Sequence, residues 1–284
     1  MSEEESIELQ AIIKNAIEED IGDGDHSSKA CIPDDATGKA KLIIKEDCVI
    51  AGLDVAELIF RTLDSRLVIN KKCKDGDVMK EGEVAFIIEG NQRSILKAER
   101  LVLNTIQRMS AIATNTDRFN QQLKDTNTKV LDTRKTTPGI RLLEKMAVTI
   151  GGGKNHRKGL YDMIMLKDNH IDYAGGISKA IQKTNDYLNE NDKNLKIVVE
   201  ARSLQEVDEI LENKPVERIL LDNFTPQETK IAVDKINGKC DTESSGGISV
   251  KTARDYAKCG VDYISSGALT HHVDNIDMSL KAVE

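Results

Sequence analysis

IVVEA (197–201), RILLDN (218–223), CDTESSGG (240–247) and VDYISSGAL (261–269) are short apolar runs that end in acids, serines and glycines. Amphipathic stretches lie between and beside them: ISKAIQKTNDYLNE, LQEVDEILEN, PQETKIAVDKI and SVKTARDYAK. With MIMLKD (163–168) included, the runs sit ~20–35 residues apart, the length of a βα unit. Such alternation predicts a parallel sheet with a helix after each strand. Further toward the N-terminus, AVTI (147–150) and VLDTRK (130–135) continue the series. Seven candidate strands without a Gly-x-Gly-x-x-Gly fingerprint predict an incomplete, seven-stranded parallel α/β barrel rather than an open doubly wound sheet.

The chain before residue 125 has another rhythm. Ile7, Ala11, Ile12, Ala16 and Ile17 recur at helical spacing. After the polar EEDIGDGDHSS come KAKLIIK, CVIAG, LVINKK and VAFIIEG, short alternating runs separated by turn signals at Asp75-Gly76 and Glu81-Gly82. They predict a small antiparallel sheet with the helix VAELIFRTL against it, followed by a long helix from about Ser94 to Leu123. The expected organisation is an α+β domain with its connecting helix (1–124), a barrel domain (125–272), and a C-terminal segment (273–284) returning to the first domain. KDGDVMKEGE (74–83) reads as turns of the small sheet, without the modifiable lysine of a carrier hairpin.

Composition narrows the class of function. The 284 residues are 39% hydrophobic and 31% charged, with 3% aromatics, no Trp and a net charge of −8. That is the wrong sign for a general nucleic-acid or anionic-membrane binder, and too few aromatics for a base-stacking platform. No apolar run approaches the ~20 residues of a membrane span. The opening MSEEESIELQ lacks the apolar core of a secretory signal. Cys31, Cys48, Cys73, Cys240 and Cys259 are odd in number and never spaced as C-x-x-C, which fits a reduced cytoplasm and denies a zinc site.

The expected strand ends carry the chemistry. In order they present Arg134 and Lys135; His156 and Arg157; Lys167; Glu200; Asp222; Glu243 with Ser244-Ser245-Gly246-Gly247; and Ser265-Ser266-Gly267. A single polar residue there is commonly a helix cap, but seven successive units describe the site-bearing face of a βα barrel. From Arg134 to His170 there are eight Lys/Arg and three acids, a local +5 within an acidic chain. Converged cations focus a field on a small, highly charged anion. SSGGIS (244–249), with Ser249 as N-cap, and SSGAL (265–269) predict Gly-rich turns whose backbone N–H groups cradle phosphate. GGGKN (151–155) lacks the earlier Gly and the Ser/Thr of a P-loop. Glu200 and Asp222 could hold Mg²⁺ directly or through water, accept hydrogen bonds from sugar hydroxyls, or work as an acid/base pair. The residues therefore point to a phosphorylated sugar and a second acidic substrate, with Mg²⁺.

TRKTTPGIRLLEKMAVTIGGGKNHRKGLYDMIMLKDNHI (133–171) resembles the quinolinate phosphoribosyltransferases. The likeness extends to EDIGDGD (19–25), AERLVLN (98–104), VVEARS (198–203), LLDN (220–223), ESSGGIS (243–249) and GVDYISSGALTH (260–271). It implies an N-terminal α/β sandwich, a seven-stranded barrel, and a homodimer or a hexamer built of dimers with a shared active site. The implied reaction joins phosphoribosyl pyrophosphate to quinolinate with loss of CO₂, giving nicotinate mononucleotide for NAD synthesis in the cytoplasm. Carried over by position, Thr133, Arg134, His156, Arg157 and Lys167 bind quinolinate, and Arg100 comes from the neighbouring subunit. Lys135, Glu200 and Asp222 surround the ribose, pyrophosphate and Mg²⁺. Ser244, Ser245, Gly246, Ser265, Ser266 and Gly267 hold the 5′-phosphate, with His271 near it. The competing expectations are a transferase acting on another anionic acceptor and a non-catalytic phosphometabolite-binding protein.

Overall fold

The structure, a computed structural model, describes residues 1–283. Its elements run α1 (Glu3–Ile21), α2 (His26–Cys31), β1 (Thr37–Ile44), β2 (Cys48–Val49), α3 (Leu53–Leu63), β3 (Val68–Lys71), β4 (Val78–Met79), β5 (Val84–Asn91) and α4 (Gln92–Gln122). There follow β6 (Lys129–Leu131), α5 (Arg141–Ile150), β7 (Ile164–Leu166), α6 (Asp168–Ala174), α7 (Ile177–Glu190), β8 (Ile197–Ala201) and α8 (Leu204–Leu211). The chain ends with β9 (Arg218–Asp222), α9 (Pro226–Ile236), β10 (Asp241–Ser245), α10 (Ala253–Ala257), β11 (Tyr263–Ser265), α11 (Ala268–His271) and β12 (Met278–Val283). Two compact units result. One comprises Met1–Asp117, Thr136–Gly152 and the chain from Leu269 onward; the other comprises Arg118–Lys135 and Gly153–Ala268. Thr136–Gly152, read from sequence as part of the barrel domain, thus groups with the first unit, and the division falls inside α4.

The first unit is built on an antiparallel sheet in the order β12-β1-β5-β3. Alternation along β1 buries Ala40, Leu42 and Ile44 on one face, as the period of two requires. Helix α3 covers that layer with Leu53, Val55, Ala56, Ile59 and Phe60, and Phe60 meets Phe86 edge-on at 5.9 Å. The C-terminal segment returns to pair β12 with β1 from Lys39↔Val283 to Ile44↔Met278. Helix α1 forms where its spacing predicts, but with a different inner face. Leu9 and Ile13 are buried while Ile7 is exposed, because the stripe at 9, 12, 13 and 16 has the same helical spacing and faces the core.

The second unit is a six-stranded, all-parallel sheet in the order β6-β11-β10-β9-β8-β7. Pairing of the last strand with the first is a barrel's connection, yet the barrel is not closed. The expected seventh strand is absent, because AVTI forms the end of α5: Ala147 and Val148 extend the apolar stripe of Leu142 and Leu143. A four-residue apolar run fits either period, and here the helix wins. In the seventh strand's place stands a single bridge, Leu131↔Lys154. Helices α7, α8 and α9 form on the stretches that predict them and bury Ile181, Val207, Ile210, Ala232 and Ile236 against Val199, Ile219 and Leu221. SVKTARDYAK is helical only over Ala253–Ala257, with Thr252 rather than Ser249 at the cap.

Short caps turn β8 and β9 directly into their helices. Two residues after β8, Ser203 accepts from Glu206 N. Three residues after β9, Thr225 and Glu228 make a capping box with Pro226 in the first turn. Glu200 and Asp222 are therefore held within a few residues of a helix start.

GGGKN serves packing within the first unit. A Cβ on Gly151 would stand 2.4 Å from the Ala113 carbonyl oxygen and 2.8 Å from Thr116 Cβ, so only glycine lets the end of α5 approach α4. Because the obstructing atom is helix backbone, Gly151→Ala is expected to cost about 1–3 kcal/mol, read as a shift in the urea unfolding midpoint.

Candidate active site

All six parallel strands end on one edge, and their register fixes which end residues are neighbours. Ser265 is opposite Leu131, Ser245 opposite Asp222, and Leu166 opposite Val199, which puts Lys167 beside Glu200. The segment after Lys154 joins the same edge through β6. Lys154 N donates to Val130 O at 2.9 Å, Asp132 N to Lys154 O at 3.2 Å, and His156 N to Asp132 Oδ1 at 2.8 Å. Asp132 is wholly buried. Its carboxylate therefore fixes where His156 and Arg157 stand relative to Thr133, Arg134 and Lys135. The Thr133 hydroxyl accepts from Lys135 N at 3.0 Å and turns the chain there, leaving Arg134 and Lys135 exposed.

Arg157 is only 8% exposed. One N–H of its guanidinium donates to Met163 O at 3.2 Å. Asp162 closes the adjoining turn by accepting from Lys158 N at 2.7 Å and Gly159 N at 2.9 Å. Burial pushes the Arg157 pKa down, the like charge of Arg134 pushes it further, and Asp162 offsets part of this. A buried guanidinium beside a second one is a site that gains most from an anion carrying more than one charge.

His156 belongs to the barrel interior as much as to its mouth. Its Nδ1 accepts from Arg157 N at 2.6 Å, and its Nε2 is 3.3 Å from Oε2 of the wholly buried Glu243. Arg218 Nη1 donates to the same oxygen at 2.7 Å, and its guanidinium stacks 3.9 Å over the Tyr263 ring.

Across the sheet stand the carboxylates. Lys167 Nζ lies 3.7 Å from Glu200 Oε2, and Asp168 N points at Glu200 Oε1 from 3.4 Å. Burial raises the Glu200 pKa; Lys167 opposes this and Asp222 adds to it. Asp222 accepts from Asn223 Nδ2 at 2.7 Å. Among the described residues no three His, Cys, Asp or Glu side chains gather as a metal cage. Two neighbouring carboxylates, one raised by the other, do suit Mg²⁺ that keeps its waters and arrives on substrate phosphates.

The Gly-rich turns present backbone rather than hydroxyls. Ser244, Ser265 and Ser266 are buried, and Ser266 Oγ donates to Ile248 O at 2.8 Å, tying the two turns together. Ser245, Gly246 and Gly267 are accessible. Gly246 has φ +98°, and a Cβ there would lie 2.2 Å from Asn223 Oδ1, so the turn needs glycine. Arg100, exposed on α4, and His271, exposed at the end of α11, belong to the first compact unit rather than to the one that holds the other candidates. Sequence reading left Asp132, Asp162 and Asn223 without a role in the site, and placed Glu243 in the strand-end series without a partner. The two aspartates and the asparagine sit inside the quoted motifs, but their partners are set by the fold.

A parallel barrel-type sheet whose strand ends carry paired guanidiniums, a Lys–Glu pair and two Gly-rich turns defines an enzyme of small, multiply charged anions and phosphorylated sugars. Comparison with known proteins narrows this. The chain matches the quinolinate phosphoribosyl transferase N-terminal domain over residues 25–110 and the C-terminal domain over residues 112–281. It is 44% identical to a Nicotiana tabacum protein named quinolinate phosphoribosyltransferase [decarboxylating] 1b, over 96% of this chain and 82% of that one. It is 37% identical to a Bacillus subtilis protein named probable nicotinate-nucleotide pyrophosphorylase [carboxylating], over 96% and 93%. The crystal structure of NadC from Streptococcus pyogenes matches with a TM-score of 0.92 at 37% identity, over 98% of both chains. The chain belongs to the quinolinate phosphoribosyl transferase family.

Because Arg134 is exposed and Arg157 is not, Arg134→Ala is expected to leave thermal stability nearly unchanged. Affinity for a small aromatic dicarboxylate should nonetheless fall by at least ~2 kcal/mol, about thirtyfold. Titration calorimetry and a melting curve on the same preparation check both halves.

Proposed function

We propose that this chain transfers the phosphoribosyl group of phosphoribosyl pyrophosphate to the ring nitrogen of quinolinate, releasing pyrophosphate and CO₂ and leaving nicotinate mononucleotide. The observation that carries the reading is the buried Arg157 held beside Arg134 at the strand ends. Two guanidiniums, with Lys167 at the next strand end, match a pyridine dicarboxylate in charge, where nicotinate offers a single carboxylate.

The reaction has two stages. The pyridine nitrogen forms a bond to C1 of the ribose while the bond from C1 to pyrophosphate oxygen breaks, the electron pair leaving with pyrophosphate. Glu200 and Asp222 offset positive charge developing on the ribose, and Lys135 meets the departing pyrophosphate. Glu200 and Asp222 would hold Mg²⁺, directly or through water, and the ion when bound would supply further counter-charge to that leaving group. The quaternised ring then loses the carboxylate next to its nitrogen. The electron pair stays on the ring carbon, stabilised by the ring cation, and a proton from water replaces the CO₂. No side-chain base is needed, so the protein's work is placement and charge complementarity. The accessible backbone of Ser245, Gly246 and Gly267 suits the 5′-phosphate.

Arg100 supports a shared site in a homodimer or a hexamer built of dimers: it is an exposed arginine in the unit that lacks the other substrate cations. The cytoplasm suits five cysteines that are all free thiols. No described helix is long and apolar enough to cross a membrane.

Carboxyl-labelled quinolinate tests the reaction. Release of labelled CO₂ should require both phosphoribosyl pyrophosphate and Mg²⁺, and nicotinate should yield no nucleotide; folded protein that releases none under these conditions refutes the activity. Arg100→Ala should be inactive yet folded. Mixed with an inactive barrel variant such as Arg157→Ala, it should recover part of the activity, since one site of a mixed dimer is then intact. No recovery despite demonstrated subunit exchange excludes sharing.

A further inference from the structure

A wholly buried carboxylate in a barrel interior is costly unless it is paired and hydrogen-bonded. Glu243 is such a group, one strand residue before the phosphate turn, and its partners are specific. Arg218 Nη1 lies at 2.7 Å and His156 Nε2 at 3.3 Å, both on Oε2. Burial pushes the Glu243 pKa up, but His156, Ser265 and Arg218 together outweigh it and hold the carboxyl below its ordinary range. The carboxylate is therefore ionised and acceptor-only.

The other edge of the imidazole is also committed. Nδ1 accepts from the Arg157 backbone N–H at 2.6 Å, which puts the ring's N–H on Nε2, 3.3 Å from Glu243 Oε2. The ring thus spans from a fixed interior charge to the backbone of the residue whose guanidinium meets the substrate. The His156 backbone N–H is pinned separately by Asp132 at 2.8 Å. Two buried carboxylates, on β10 and just after β6, clamp one turn from opposite sides.

We infer that Glu243 is a positioning residue for substrate binding: paired with Arg218, it sets the tautomer and tilt of His156, and through the His156–Arg157 hydrogen bond it holds Arg157 in place for the substrate dicarboxylate. This role rests on the dicarboxylate reading of the site. Arg218 pairs with Glu243 from the start of β9, the end of that strand away from Asp222.

The alternative is that Glu243 does no more than neutralise Arg218. The two roles separate in E243Q and in the double variant E243Q/R218M, which removes both charges while Met keeps a contact with the Tyr263 ring. E243Q alone should lose stability, because Arg218 is left buried without its counter-charge. The double variant should regain that stability. Its KM for quinolinate should nonetheless stay raised by at least about tenfold, with the KM for phosphoribosyl pyrophosphate within about twofold of wild type. Return of the quinolinate KM to the wild-type value in the double variant overturns the inference.

A second readout is taken on wild-type protein and does not depend on activity. In wild-type protein labelled with ¹⁵N-histidine, the His156 signals, identified by their loss in H156Q, should show a protonated Nε2 and an unprotonated Nδ1 at neutral pH. A protonated Nδ1 overturns the inference. Wild-type protein that fails to turn over quinolinate counts against the proposed function, and the histidine spectrum then still decides whether the Glu243–His156 arrangement exists.

Discussion

Arg157 is 8% exposed, with its pKa pushed down first by burial and then by the like charge of Arg134, and the strand ends around it are built to hold it there. The constraint begins with Asp132. Its buried carboxylate takes the His156 N–H, and the Leu131↔Lys154 bridge runs alongside. Together these bring chain more than twenty residues downstream of β6 to lie beside Arg134. Met163 and Asp162 then fix the far side of the Arg157 turn. The cost of assembling like charge is met by hydrogen bonds buried in the interior, which is why the site is preorganised rather than assembled by substrate.

The sheet distributes the remaining chemistry by register alone. Successive strand ends deliver Lys167, Glu200, Asp222 and the Ser245 turn side by side, with Ser265 next to the strand that bears Arg134. Arg134 and Lys135 follow β6 at one end of the strand order, and Lys167 pairs with Glu200 at the other. The two Gly-rich turns sit between, tied by Ser266 to the Ile248 carbonyl.

Much of this was readable in the residues. The βα rhythm from 163 to 269 predicts the parallel sheet, and α7 and α9 follow their periodic stretches closely. One reading failed for a physical reason. AVTI is only four residues long, so its period is ambiguous until the stripe from Leu142 is followed through it. Ser244 and Ser266 are buried, with the Ser266 hydroxyl donating to the Ile248 carbonyl, and the expectation for these turns rested on backbone N–H groups rather than hydroxyls. Asp132 was not read as a site residue, and Glu243 was read only as a strand-end residue without partners, for another reason. Each acts on a histidine far away in the chain, and nothing local marks a carboxylate that will be buried. The grouping of Thr136–Gly152 with the first unit likewise depends on packing of α5 that periodicity cannot place.

The central claim is that paired guanidiniums select a dianion. Calorimetric binding of quinolinate and of nicotinate to the wild-type protein, side by side at one ionic strength, tests it most directly. The account predicts quinolinate bound at least about thirtyfold more tightly, the least that a second carboxylate on a buried cation should contribute. Equal affinity for the two acids would contradict it.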